Sequence, residues 1–200
     1  MFRALYLALP ILLVLAGCAG QDTREADSLS WQEHSSHMQQ LSHWTARGKL
    51  ALRSSERAEA ATILWQQQGL STRLHLSGPI GVGATIITSD GRQMEVRQGE
   101  ELKTFDISTP DAIALNTGWD LPLHALPYWL KGIPTPDSPV QLLELDPDRD
   151  LLRKLQQDDW EIHYEQYEAF NNLTLPTRLR IQRGDTSARM IIRKWQALPS

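Results

Sequence analysis

Cysteine is almost absent: Cys18 is the only one in 200 residues, so no disulfide can form within the chain. Long apolar runs are missing too. The run from Leu5 to Ala16 covers about 12 residues, roughly 18 Å of helix, and is too short to span a bilayer. Positive charge is not in excess, with 20 Lys and Arg against 24 Asp and Glu and a formal net charge of −4. That balance argues against nucleic acid as a partner and against a polybasic grip on anionic lipid. Catalytic signatures are thin as well. The chain has no second cysteine, no Gly-x-Ser-x-Gly, no His-Glu-x-x-His and no carboxylate pair in a recognisable setting. No enzyme chemistry, cofactor or metal is therefore expected.

What is present begins at the N-terminus. Arg3 precedes the short apolar run, which ends in Leu15-Ala16-Gly17-Cys18. A basic start, a short apolar middle and small residues before a cut site describe a secretory signal, and the last four residues resemble the bacterial lipobox. The expected division is a removed signal at 1–17, a lipidated N-terminus and polar tether at 18–29, and one domain at 30–200. Cleavage before Cys18 leaves 183 residues, enough for one real core. Ala19 follows the cysteine where an Asp would signal inner-membrane retention, so the expected location is the periplasmic side of the outer membrane.

Ser30 opens an expected helix over Trp31 to Trp44, with Trp31, Met38, Leu41 and Trp44 roughly on one face. From Ala46 the hydrophobic period changes to two. Leu50 and Leu52, Ile63 and Trp65, and Leu74 and Leu76 each alternate with polar neighbours. Strands are expected over Val82–Ser89, Gln93–Arg97 and Leu102–Ile107, with Asp90-Gly91 and Gln98-Gly99 as turns. Pro110–Asn116 and Leu123–Lys131 read as short helices, the second broken by Pro127, and Ile133–Pro139 as a proline-rich loop. Strands return at Val140–Leu145, Trp160–Glu168, Arg178–Arg183 and Ala188–Trp195; Asp150–Gln157 leans to strand over helix. The fold class is α+β, a twisted antiparallel sheet with helices on one face.

His34 and His37 are three residues apart and could share a metal, but no third ligand has a matching spacing, so a solvated polar face is the better reading. Gly78-Pro79-Ile80-Gly81-Val82-Gly83 superficially suggests a phosphate loop, yet it lacks lysine and sits between strands. Ile80 is an apolar side chain among turn formers, expected to project into solvent. Tryptophan is the unusual feature, with seven residues. Trp65, Trp160 and Trp195 should share the inner face of the sheet; Trp160, Ile162 and Tyr164 follow one parity, and Tyr167 joins them only if a bulge intervenes. Such rings either fill a core or line an apolar ligand cavity in a curved sheet.

Six segments in order resemble the LolB family, the outer-membrane receptors of the Lol lipoprotein-sorting pathway. They are Leu41–Leu52 (LSHWTARGKLAL), Leu64–Gln67, Arg73–Gly81, Tyr128–Pro134 with its Trp-x-x-Gly-x-Pro pattern, Asp159–Tyr167 and Leu175–Leu179. The resemblance implies an unclosed antiparallel half-barrel, capped by short helices and enclosing an apolar cavity. It implies a monomer that accepts triacylated lipoprotein cargo from a soluble LolA-like periplasmic carrier and inserts it into the outer membrane. Ile80, flanked by Pro79 and Gly81, falls where the family carries an exposed apolar residue, usually leucine, for membrane delivery. Trp65, Phe105, Trp129, Trp160, Tyr164 and Trp195 are the candidate cavity lining. A structural envelope lipoprotein with a filled core, or a lipid-anchored enzyme, are the competing readings. Mass spectrometry of the mature N-terminus is expected to find Cys18 as the first residue, carrying acyl chains; an unmodified start elsewhere contradicts the lipobox reading.

Overall fold

The computed structural model describes residues 30–55, 58–78, 83–107 and 122–198. The expected helix at Pro110–Asn116, Cys18 and the turn residues Pro79, Ile80 and Gly81 lie outside them.

Helix α1 spans Trp31–Gln40 and starts on a capping box. The Ser30 hydroxyl accepts the Glu33 amide at 3.4 Å, while the Glu33 carboxylate accepts the Ser30 amide at 3.1 Å. The helix stops earlier than its apolar spacing predicts. Trp44 is a strand residue, second in β1 (His43–Arg53), and is paired with Gln67 on one side and Ala197 on the other. The ladder on both sides satisfies its backbone better than another helical turn would. His34 also departs from expectation: it is buried in the core side of α1 and not on a solvated face.

The other strands are β2 (Ala58–Gln68), β3 (Ser71–Ser77), β4 (Thr85–Ser89), β5 (Gln93–Gln98), β6 (Glu101–Asp106), β7 (Val140–Leu145), β8 (Leu152–Gln157), β9 (Trp160–Phe170), β10 (Leu173–Arg183) and β11 (Thr186–Ala197). All form one antiparallel sheet in the order β6-β5-β4-β3-β2-β1-β11-β10-β9-β8-β7. The first and last strands pair at its centre, and its two edges, β6 and β7, are consecutive in the chain. The sheet is unclosed. The segment between the edges carries helix α2 (Leu126–Trp129), which packs Leu126 and Trp129 into the core. Pro127 does not break this helix; it occupies the first turn, where its missing amide costs no hydrogen bond.

Two irregularities adjust which side chains face inward. On β9, Tyr164 pairs with Leu179 and Gln166 with Arg178, leaving Glu165 as the extra residue of a bulge. The bulge turns Tyr167 to the same face as Tyr164, and their rings lie 5.8 Å apart. β10 begins five residues before the expected Arg178 and runs through Pro176, which is tolerated because pairing with β11 starts only at Arg178. On the β1–β11 pair the register shifts after Arg47, beside Gly48. A Cβ on Gly48 would sit 2.1 Å from the Ile191 carbonyl oxygen.

Gly48→Ala therefore must push two central strands apart, and its expected cost is about 2–4 kcal/mol. Gly69→Ala meets no atom within 4 Å and suffers only its positive φ of 59°, about 1–2 kcal/mol. Urea unfolding of both variants checks this; equal midpoints would mean the β1–β11 contact is looser than it looks.

Candidate functional site

The inner face of the sheet borders a cavity of about 1030 Å³. Trp44, Trp65, Leu74, Ile87 and Met94 supply one wall from β1 to β5, and Trp160 and Arg183 the other from β9 and β10. Met94 and Trp160 are seven strands apart in the sheet order, on the order of 33 Å if the sheet were flat. Their sharing one cavity means the sheet is curled into a half-barrel. Leu123, Tyr128 and Lys131 close it from the α2 segment, and Gln39, Leu41 and Ser42 from the end of α1. The rim is polar, with Asp137, Ser138 and Asp158. Below it lies an apolar void of about 20 Å³ lined by Leu50, Ile63, Leu126, Ala188 and Met190; Trp65, Leu74, Ile87 and Leu123 border both spaces.

The six aromatic residues singled out in the sequence do not share one surface. Trp65 and Trp160 border the cavity. Trp129, Tyr164 and Trp195 do not border it, because each is packed and hydrogen-bonded behind it. The Trp129 indole donates to Gln157 Oε1 at 3.0 Å and its ring lies 6.4 Å from Trp160. The Tyr164 hydroxyl donates to the Trp129 carbonyl at 2.9 Å, and burial holds that phenol well above its ordinary pKa. The Trp195 indole donates to the Pro176 carbonyl at 2.9 Å. Phe105 pairs with Met94 across β5 and β6, one strand beyond the wall. Trp44 lies on β1 and not on the helix that its spacing predicts; its parity with Ala46 is the signal that identifies it as a wall residue.

Two buried polar side chains hold this arrangement, and neither has a sequence signature. Gln157, fully buried, is saturated: Oε1 accepts from Trp129 Nε1 and from the Thr135 amide at 2.9 Å, while Nε2 donates to the Thr135 and Ser138 carbonyls at 3.0 and 2.8 Å. It fastens the segment after α2 onto β8. Lys131 is 4% exposed and donates to the Met38 carbonyl at 2.6 Å and the Leu41 carbonyl at 2.9 Å. These are among the carbonyls that the end of α1 leaves without helical partners. Lys131 thus ties α1 to the α2 segment at the cavity wall, with its ammonium 5.3 Å from the Tyr128 ring centre. Burial pulls its pKa down to about 8. Trp44 Nε1 is buried without an acceptor, its ring tilted edge-on to Trp195 at 5.2 Å. Among the described residues no group of three His, Cys, Asp or Glu side chains could hold a metal.

Because the folded-state pKa of Lys131 lies below the ordinary lysine value, the unfolded chain binds more protons between about pH 8 and pH 10.5. Its contribution to stability should rise through that window, by about 3 kcal/mol at most, since a neutral amine retains two N–H groups for two carbonyls. Urea unfolding of the wild type and Lys131→Met is expected to show the gap widening in favour of the wild type as pH rises. A constant gap would place the ammonium in water.

Comparison with known proteins adds to this geometry. A family model described as Outer membrane lipoprotein LolB matches residues 42–195. The outer-membrane lipoprotein LolB of Stutzerimonas stutzeri is 35% identical over 195 residues, covering 93% of this chain and 92% of the relative. That of Chromohalobacter salexigens is 33% identical over 197 residues, covering 96% and 90%. Among solved structures, a DUF1329 family protein from Desulfovibrio piger superposes with a TM-score of 0.54 at 8% identity, over 84% of this chain and 91% of that one, a likeness of fold alone. The six ordered motifs, the unclosed sheet and these matches together place the chain in the LolB family of outer-membrane lipoproteins.

Proposed function

We propose that this protein is a lipoprotein receptor: anchored through acyl chains on Cys18, it accepts acylated lipoproteins from a soluble LolA-like carrier and passes them to the outer membrane. The observation that carries the reading is the cavity of about 1030 Å³ bordered by Trp44, Trp65, Leu74, Ile87, Met94 and Leu123, a size and lining suited to an apolar ligand. The need for such a cavity is physical. Exposing one 16-carbon chain to water costs on the order of 12 kcal/mol, so cargo with several chains cannot travel uncovered. A receptor that offers a better apolar surface than the carrier draws the cargo onward, and the bilayer, better still, completes the transfer. No bond is made or broken, so the function is not enzymatic and needs no cofactor. A single copy suffices for this sequence of steps.

The structural-lipoprotein reading draws on the solid packing of Trp129, Tyr164 and Trp195, but those rings lie behind the cavity and do not fill it. Trp65 and Trp160 serve as the aromatic reporters of occupancy, since they border the space on opposite walls.

An acyl-chain fluorophore is expected to bind and to quench or shift tryptophan emission. Leu123→Asp, which places a carboxylate on the wall, should weaken binding at least tenfold. Absence of any apolar binding contradicts the receptor reading. Ile80→Glu should leave folding and cargo uptake intact while blocking delivery to liposomes, because a single inserted hydrophobe contributes about 1.5–3 kcal/mol to membrane contact. Normal delivery by that variant would show that Ile80 takes no part in release.

A further inference from the structure

The outward face of the central strands has a charge opposite to that of the whole chain. Arg47, Lys49 and Arg53 project there from β1, Arg193 and Lys194 from β11, and Arg73 from β3, and all six are exposed. Strand register arranges them in rows. Lys194, Arg47, Leu64 and His75 lie side by side across four strands, and Lys49, Thr62 and Ser77 form the next row. Among the described residues, the outward positions of β1, β2, β3 and β11 carry no carboxylate, and these six cations make no ion pair. A net charge of −4 hides this segregation, because it sums over both faces of the sheet.

The face is also shaped. At Gly48 the register shift brings β1 and β11 so close that no Cβ fits, and a groove of about 400 Å³ opens there. Arg47, Lys49, His75 and Arg193 surround it, and Leu64 and Thr62 form part of its floor. Ser77, at the end of the groove, is the last residue of β3, two positions before Pro79 and three before Ile80.

We propose that this groove and its cationic rows form a second membrane-contact site, which binds the phosphates of anionic phospholipid headgroups. Three observations select a lipid surface over a protein. A carrier handing over acyl chains must meet the cavity, which lies on the other side of the sheet. The basic rows reach Ser77, which stands three residues before Ile80 in the chain, so the groove and the proposed delivery residue are neighbours in sequence. And an outer-membrane lipoprotein is held beside a bilayer by its own anchor, so weak headgroup contacts act at high effective concentration. Each cation near an anionic surface then raises occupancy on the order of fivefold. The site would fix the tilt of the half-barrel on the membrane. It rests on outer-membrane anchoring and not on the acyl-cavity reading.

The test uses the full chain anchored in vesicles. Cys18 is the only native cysteine, and once acylated it is blocked, so Ala51→Cys, exposed on the same face outside the groove, accepts a single polarity-sensitive fluorophore. Vesicles of phosphatidylcholine are compared with vesicles in which about one quarter is phosphatidylglycerol, each with a headgroup spin label as quencher. Quenching is expected only with the anionic lipid. R47Q/K49Q/R193Q should lower the contact equilibrium on the order of 100-fold, and about 0.5 M salt should reduce it in the unsubstituted face. Uptake of a neutral acyl fluorophore by the cavity should stay unchanged, which separates failure of this site from failure of the receptor reading. Equal quenching in both vesicles, insensitivity to the triple substitution and to salt, or contact seen only after a soluble carrier is added would each overturn the proposal.

Discussion

Pairing of the first strand with the last at the centre of the sheet is the constraint on which the molecule depends. Once β1 and β11 are joined, the two sheet edges become neighbours in sequence, and one connection must carry the chain from β6 to β7. The described part of that connection, residues 122–139, packs against the concave side. That packing places Leu123, Tyr128 and Lys131 opposite Trp65 and Ile87, and the space between them is the cavity. Gly48 permits the pairing: the two backbones approach too closely there for any other residue. The same close approach shapes the groove on the outer face, so one glycine serves both surfaces.

A cavity of this size is unfavourable in a sheet that would otherwise collapse on it, because unfilled apolar space forfeits contacts. The structure resists collapse with rigid, saturated groups behind the walls. Trp129, Tyr164 and Trp195 are each held by a hydrogen bond to a buried acceptor, and Gln157 satisfies all four of its bonds. Removing one partner of such a network strands the others without water, which makes it stiff. Lys131 extends the principle to the rim. Its buried ammonium is tolerated only because the carbonyls ending α1 meet it.

The two faces of the central strands differ sharply in character. The concave face offers apolar surface, while Arg47, Lys49, Arg53, Arg73, Arg193 and Lys194 on the convex face make no ion pair among the described residues. Alternation along each strand produces both faces from the same residues: Leu50 and Lys49, or Leu74 and Arg73, are adjacent in sequence and opposite in environment.

Much of this was legible in the residues themselves. Alternation placed most strands to within a few positions, and the ordered motifs identified the family. Local backbone chemistry decides such features, and so each is written in a short window. The errors arose where distant contacts overrule local pattern. Trp44 and its neighbours satisfy a helical spacing, yet two flanking strands claim their backbone. Tyr167 was no error but a choice left open, and the bulge that decides it is set by pairing with β10. The burial of Lys131 and Gln157 left no trace, since lysine and glutamine ordinarily face water and their partners lie 93 and 22 residues away. The cationic face was invisible for the same reason: net charge is a sum over the chain, whereas a surface is a selection made by strand register. Sequence by itself determined the elements and the family. Tertiary structure alone decided which rings border the cavity, because that depends on how far a sheet curls, a property of eleven strands together and of no segment.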